Sequence, residues 1–319
     1  MIFLLVVLLM IGGWALYKGA DLIVDHASHL AAKLGVSTAV VGLTGVALAG
    51  VLPEFSIGIT SALANANDLI IGNALGSSVL KLALVLGLAA LIYPLAIQTS
   101  ILRHEIPWLL LATVFVFFLA WDLTISRNDG LMLIILAVGF EWYCIRTARR
   151  DLLLEVGQRQ VVLNRRRPLE RGRVWLKIAL GLLLIILGAK LFVDSSLSLA
   201  HYWGVSQLFV GMLVIALGTS LPELVVTIMA AVRHQAALGI GNIIGSNVMN
   251  IFLVVGATAL INPLRVHPDL LIFDFPMLIF FTLLASLMFK SHHRLTRLEG
   301  AFLVLGYVVY FVYSVKFWG

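Results

Sequence analysis

One cysteine, Cys144, stands in 319 residues. That excludes an internal disulfide and a multi-cysteine metal site. Charge is nearly as scarce. Asp, Glu, Lys and Arg together make up 12% of the chain, against roughly 25% in an average soluble protein. Apolar residues fill the gap at 61%, and the mean hydropathy is +1.05. A helix crosses a bilayer with about 20 apolar residues, so the chain has room for roughly ten spans and little for a soluble domain. It reads as an integral membrane protein.

Two further absences narrow the reading. No basic region precedes the apolar residues Met1 to Tyr17, and their character continues past Asp21 to Leu34. This segment therefore reads as a first membrane helix rather than a cleaved signal. The second absence concerns the net charge of +6. Arg146, Arg149, Arg150, Arg159, Arg165, Arg166, Arg167, Arg171 and Arg173 crowd mid-chain with no aromatic platform or binding motif beside them. Nucleic acid is thus not the expected partner. A cytoplasmic loop obeying the positive-inside bias is.

Apolar runs between polar breaks predict an all-α membrane protein of about ten transmembrane helices, near 2–33, 37–64, 69–96, 104–122, 130–149, 174–202, 206–233, 238–262, 269–289 and 297–317. The expected division is a five-helix repeat over 1–149, an Arg-rich cytoplasmic linker over 150–173 and a second five-helix repeat over 174–319. Gly-Thr-Ser-Leu-Pro-Glu at Gly218–Glu223 has a degraded partner at Ala49–Glu54, 169 positions earlier. Gly-Asn-Ile-Ile-Gly-Ser from Gly241 answers Gly-Asn-Ala-Leu-Gly-Ser from Gly72 at the same offset. Matches run ungapped from Gly19/Gly188 to Pro94/Pro263, which points to an internal duplication. Five spans per half is an odd number, so the second half enters the membrane upside down. With the Arg-rich linker inside, Lys33, Arg103, Arg233 and Lys290–Arg297 fall on the same side, and both termini fall outside, in the periplasm.

The duplicated carboxylates, Glu54 and Glu223, carry the chemistry. Each follows a proline that interrupts an apolar segment. Proline removes a backbone donor, and freed carbonyls upstream, such as those of Ala47 and Ala216, can face a cation-filled cavity. A membrane-buried carboxylate is costly unless paired, protonated or bound to a cation. Thr219 and Ser220 add hydroxyls. Ser77, Ser246, Asn73 and Asn242 are ligand or bracing candidates, and Asn247 and Asn250 share a helix face. An all-oxygen set suits hard cations such as Na⁺ and Ca²⁺. Asp25 and Asp194 are symmetric too, but read as capping or pairing groups.

These paired segments resemble the alpha repeats of the sodium/calcium exchanger superfamily, in particular the compact bacterial calcium/sodium antiporters. The resemblance spans essentially the whole chain. It implies calcium:sodium antiport across the inner membrane by alternating access, with no cofactor, inorganic cations as substrates, membrane lipids as surroundings and a monomer as the working unit. It also implies a midplane site of Glu54, Glu223, Thr219, Ser220, Ser77, Ser246 and Asn250 with the backbone of Ala47 and Ala216.

Copy one departs from the family pattern where it matters. Ala49-Gly50-Val51 replaces Gly-Thr-Ser, Ser78 replaces Asn, and Lys81 replaces Asn or Asp. The Lys81 ammonium is expected in the site as a tethered cation that sets the coupling. Two ionised glutamates balance a divalent ion, whereas a protonated lysine leaves a single negative charge. A buried lysine can also release its proton. The alternatives are therefore a cation/proton exchanger, with Lys81 in place of a bound sodium, and a non-transporting membrane sensor. A membrane enzyme is disfavoured because no paired nucleophile and base stands out.

Overall fold

A computed structural model describes residues 2–34, 36–64, 67–156, 171–202 and 207–318. Ten helical rods run through them, five in each half. The first five are Ile2–Leu34, Thr38–Leu63, Ile70–Ile92, Ile101–Leu119 and Arg127–Val156. The second five are Arg171–Tyr202, Gln207–Val232, Ala236–Ile261, Leu270–Ser291 and Arg297–Trp318. Among the described residues, nine stretches are long and apolar enough to cross a membrane, and the seventh rod adds a shorter apolar stretch, Leu217–Val232. The central part of the expected linker, 157–170, lies outside the described residues. Its edges are helical, because the fifth rod runs on to Val156 and the sixth opens at Arg171.

Local chemistry sets the rod ends. The third helix, expected to reach 96, stops at Ile92, and Tyr93 turns extended at φ −145° and ψ 126°. Pro94 follows, and the residue before a proline is pushed out of the helical region. The matched residue Asn262, before Pro263, does the same at φ −142° and ψ 124°. Just beyond lie two-residue strands that the helical reading did not anticipate. Leu95–Ala96 pairs antiparallel with Arg294–Leu295, and Thr124–Ile125 pairs with Leu264–Arg265. Each pair joins the two halves.

The pairings are reciprocal, as a twofold relation requires. Leu95 meets Leu295 while its counterpart Leu264 meets Ile125. Arg297 donates to the carbonyl of Ile92 as Arg127 donates to that of Ile261. Thr113 and Thr282, themselves counterparts, meet hydroxyl to hydroxyl at 3.4 Å. Beyond that pair the offset grows by one, since Ser126 and Asp129 form the cap that Thr296 and Glu299 form in the second half. The expected inverted five-plus-five arrangement is the fold.

Two apolar clusters organise the rods. One gathers the third, fourth, fifth, eighth, ninth and tenth rods. The other joins the first and sixth rods to parts of the second and seventh, through Leu16, Ile23, Ile178, Ile185 and Val226. The third and eighth rods are the most buried. Their buried polar residues, among them Ser77, Lys81, Asn242, Ser246 and Asn250, therefore face other helices.

The first and sixth rods cross where glycines meet. A Cβ on Gly19 would lie 2.6 Å from the Gly181 carbonyl, and one on Gly181 would lie 2.8 Å from the Gly19 carbonyl. Small residues thus admit close backbone approach. Gly19→Val should overpack this crossing and destabilise the protein by about 1–3 kcal/mol. Gly13→Ala, whose new methyl would find its nearest neighbours 4.0 Å away on Phe192, should be close to neutral. Thermal unfolding of the purified variants in detergent checks both.

Candidate cation site

Glu54 lies on the second rod, Lys81 on the third, Glu223 on the seventh and Asn250 on the eighth. Their local backbones are not ordinary helix. In copy one, Val51 makes a turn (φ −74°, ψ −10°) and a new helical segment, Leu52–Leu63, opens with Pro53 and carries Glu54 in its first turn. The start of a helix favours a carboxylate. In copy two the expected break does not occur, and Gln207–Val232 is one helix with Pro222 inside it. Transmembrane helices tolerate such a proline where neighbours satisfy the freed backbone. Lys81 and Asn250 each open a π-helical segment, Lys81–Val85 and Asn250–Val255. A π turn inserts extra backbone and re-aims the side chain that begins it.

Three charged side chains meet at the centre. Lys81 Nζ is 3.2 Å from Glu54 Oε1 and 3.0 Å from Glu223 Oε1. All three side chains are fully enclosed, and Lys81 is among the largest fully buried side chains described. Two carboxylates buried together repel each other, and an ammonium between them cancels most of that cost. Among the described residues the Oε2 atoms of both glutamates have no hydrogen-bond partner, nor do the Oδ1 atoms of Asn242, Asn247 and Asn250. Buried acceptors are normally satisfied, so this cluster is short of donors and rich in oxygen. Among the described residues no three His, Cys, Asp or Glu gather to hold a metal. The oxygen-rich cluster is the chemistry a hard cation prefers.

Around this centre some candidates face it and others brace it. Ser220 is fully buried and adjoins the Glu54 carboxylate. Thr219 is buried one position earlier. Asn250 donates from Nδ2 to Ser77 Oγ at 2.9 Å and to the Ala74 carbonyl at 3.1 Å. It thereby ties the eighth rod to the third. Ser246 donates to the Ile243 carbonyl at 3.3 Å. Asn242 donates to Thr227 Oγ1 at 3.2 Å and is a brace between the seventh and eighth rods. Thr227 went unremarked in the sequence, although it lies one turn after Glu223.

The Ala47 carbonyl is not freed by the proline. It accepts the Val51 N–H at 3.0 Å, and the carbonyl four residues before Pro53 is that of Ala49. A carbonyl has a second lone pair, so Ala47 keeps acceptor capacity. The side chain of Ala216 lies outside the described residues. Asp25 and Asp194 are both exposed, away from the centre. Beside Glu223 is a cavity of about 10 Å³ lined by Gly50, Pro222, Asn242, Val46 and Leu182 among others. Val46 and Leu182 also line a larger apolar cavity of about 360 Å³ that reaches Trp175 and Ile145.

Known proteins share this fold. The family model described as sodium/calcium exchanger protein matches residues 4–146 and 173–316. Inner membrane protein YrbG of Escherichia coli is 32% identical over 95% of this chain and 94% of its own length. Sodium/calcium exchanger MaX1 of Methanosarcina acetivorans is 30% identical over 96% and 97%. A solved structure of the sodium-calcium exchanger NCX_Mj, soaked with zero Na⁺ and Ca²⁺, superposes with a TM-score of 0.84 at 28% identity, covering 97% of this chain and 98% of that one. With both repeats matched and the fold shared end to end, the chain belongs to the sodium/calcium exchanger family.

Proposed function

We propose that this protein is a secondary active cation antiporter that exchanges calcium for sodium across a bacterial inner membrane. Access to a midplane site between Glu54 and Glu223 would alternate between the two faces. The observation that carries this reading is the pair of counterpart carboxylates, fully buried, sharing one ammonium. Such a pair has no structural use that an apolar pair would not serve at lower cost. As a cation site between inverted halves it has an evident one. Glu54 and Glu223 would be the central ligands. Thr219, Ser220, Ser77, Ser246, Asn250 and the carbonyls of Ala47 and Ala216 would supply further oxygens in one or another step. Inorganic cations are the substrates, and the protein needs no cofactor, works as a monomer among membrane lipids and catalyses no chemical reaction.

In this reading Lys81 is a built-in cation. With both glutamates ionised and the lysine protonated, the centre carries a net charge of −1. Calcium can enter only as the ammonium leaves or loses its proton, since a third positive charge at this spacing would be strongly repelled. The same observation favours a second reading, in which Lys81 stands in for a bound sodium and its proton is the exchanged ion. Radioactive calcium uptake into proteoliposomes separates the two. Sodium-gradient-driven uptake lost at least about tenfold in Glu223→Gln, equivalent to 1.4 kcal/mol or more, is the expected result. Uptake driven by a pH gradient alone would favour proton coupling. Absence of uptake under either gradient would leave a non-transporting sensor.

Lys81→Asn removes the ammonium and leaves two buried carboxylates facing each other. Breaking a buried ion pair from one side costs about 3–5 kcal/mol. The cation-free variant should therefore melt well below the native protein, and added calcium should recover most of the difference, because binding to the folded state alone stabilises it.

The two repeats, 1–149 and 174–319, would be joined by a cytoplasmic linker, 150–173, with both termini in the periplasm. Cys144 is buried, so the native chain gives a low background to thiol reagents. A membrane-impermeant maleimide should label Gly319→Cys in intact spheroplasts and Arg159→Cys only after permeabilisation. The reverse pattern would invert the topology.

A further inference from the structure

Four matched positions around the centre differ between the halves: Gly50 against Thr219, Val51 against Ser220, Ser78 against Asn247, and Lys81 against Asn250. Taken singly, Gly50 is a lost hydroxyl. Its surroundings say more. A Cβ on Gly50 would lie 3.2 Å from both Cγ and Cδ of Glu223 and 3.4 Å from its Oε1. That Oε1 is the oxygen that Lys81 Nζ reaches at 3.0 Å. Contacts of 3.2 Å force a neighbour to give way, and this neighbour is enclosed, with Pro222, Val226 and Asn242 around it and a cavity of only about 10 Å³ beside it. The end of the Glu223 side chain therefore occupies the space where a Cβ on Gly50 would press, with the ammonium at its Oε1.

We infer that Gly50 is a positioning and specificity-determining residue: its missing side chain seats Glu223 for the Lys81 bridge, so that Gly50 and Lys81 act as one unit. The second half holds the complementary unit, a hydroxyl residue, Thr219, with an amide, Asn250. One half keeps neutral oxygen donors for a free metal ion, and the other carries its own cation and clears space for the carboxylate that holds it. Threonine at position 50 occupies volume that the bridged Glu223 uses. Once the ammonium is gone, Glu223 can turn away, and the new hydroxyl becomes a ligand. This inference rests on the reading of Glu54 and Glu223 as the transported-cation site.

A double-mutant cycle tests it, using full-length protein in detergent for sodium- and calcium-dependent Tm shifts and in proteoliposomes for calcium flux. Lys81→Asn, Gly50→Thr and their combination are compared. Gly50→Ala and Gly45→Ala serve as the milder pair, because a Cβ on Gly45 meets nothing within 4 Å among the described residues and so reports the helix effect alone. In the native background Gly50→Thr should lower the cation-free Tm and abolish flux, with Gly50→Ala shifting both in the same direction and Gly45→Ala leaving flux unchanged while raising the Tm slightly, as a helical glycine-to-alanine change does. In the Lys81→Asn background Gly50→Thr should instead lower the half-saturating sodium concentration by about tenfold, the equivalent of 1.4 kcal/mol. Equal effects of Gly50→Thr in the two backgrounds, with exchange intact in the native protein, would overturn the coupling of Gly50 to Lys81 and leave the exchange reading standing. If neither ion shifts the Tm or moves in any variant, the exchange reading fails and takes this inference with it.

Discussion

The ammonium of Lys81 between two enclosed carboxylates is the interaction on which the rest of the structure turns. Two enclosed glutamates without the ammonium would repel each other, and the ammonium without either glutamate would be an unpaired buried charge. Four rods must cross at one point to deliver these groups together with Asn250. The crossings need glycine, the rods need length, and the helices need π turns at Lys81 and Asn250 to aim the side chains inward. The oxygen atoms left without donors around the triad among the described residues are what the proposed cation site rests on.

Twofold repetition builds the frame, and departures from it tune the site. Strand pairs, arginine caps, capping boxes and glycine crossings all occur twice, related by one axis through the Thr113–Thr282 contact. A frame whose two halves are the same unit inverted can open to either face by exchanging the conformations of its halves. The first and sixth rods form an apolar cluster separate from that of the main bundle. At the centre the repetition is broken: Gly50, Val51, Ser78 and Lys81 face Thr219, Ser220, Asn247 and Asn250. On the proposed reading, the symmetric part of the molecule supplies access and the asymmetric part decides which ions take part.

Much of this was legible in the sequence because duplication leaves a fixed offset. Glu54 and Glu223 were identifiable as a pair, and Lys81 as the odd residue opposite Asn250, before any coordinates. What could not be read depended on where rods cross. Pro53 and Pro222 are the same residue in the same motif, yet one opens a new helical segment and the other sits within a continuous helix. Asn242 looked like a ligand as much as a brace until its partner, Thr227, was in view. The two-residue strands carry no pattern of their own, because their pairing partners lie in the other half of the chain.

The sequence by itself determined the medium, the number of rods, their inverted duplication and the acidic pair at its centre. These follow from hydropathy and repetition, which are local or periodic properties of the chain. Only the tertiary structure decided that the lysine bridges both glutamates and that Glu223 rests on Gly50. Those are contacts between residues far apart in sequence, fixed by how closely glycine-lined helices approach, and a distance of a few tenths of an ångström separates a seat for a carboxylate from a clash.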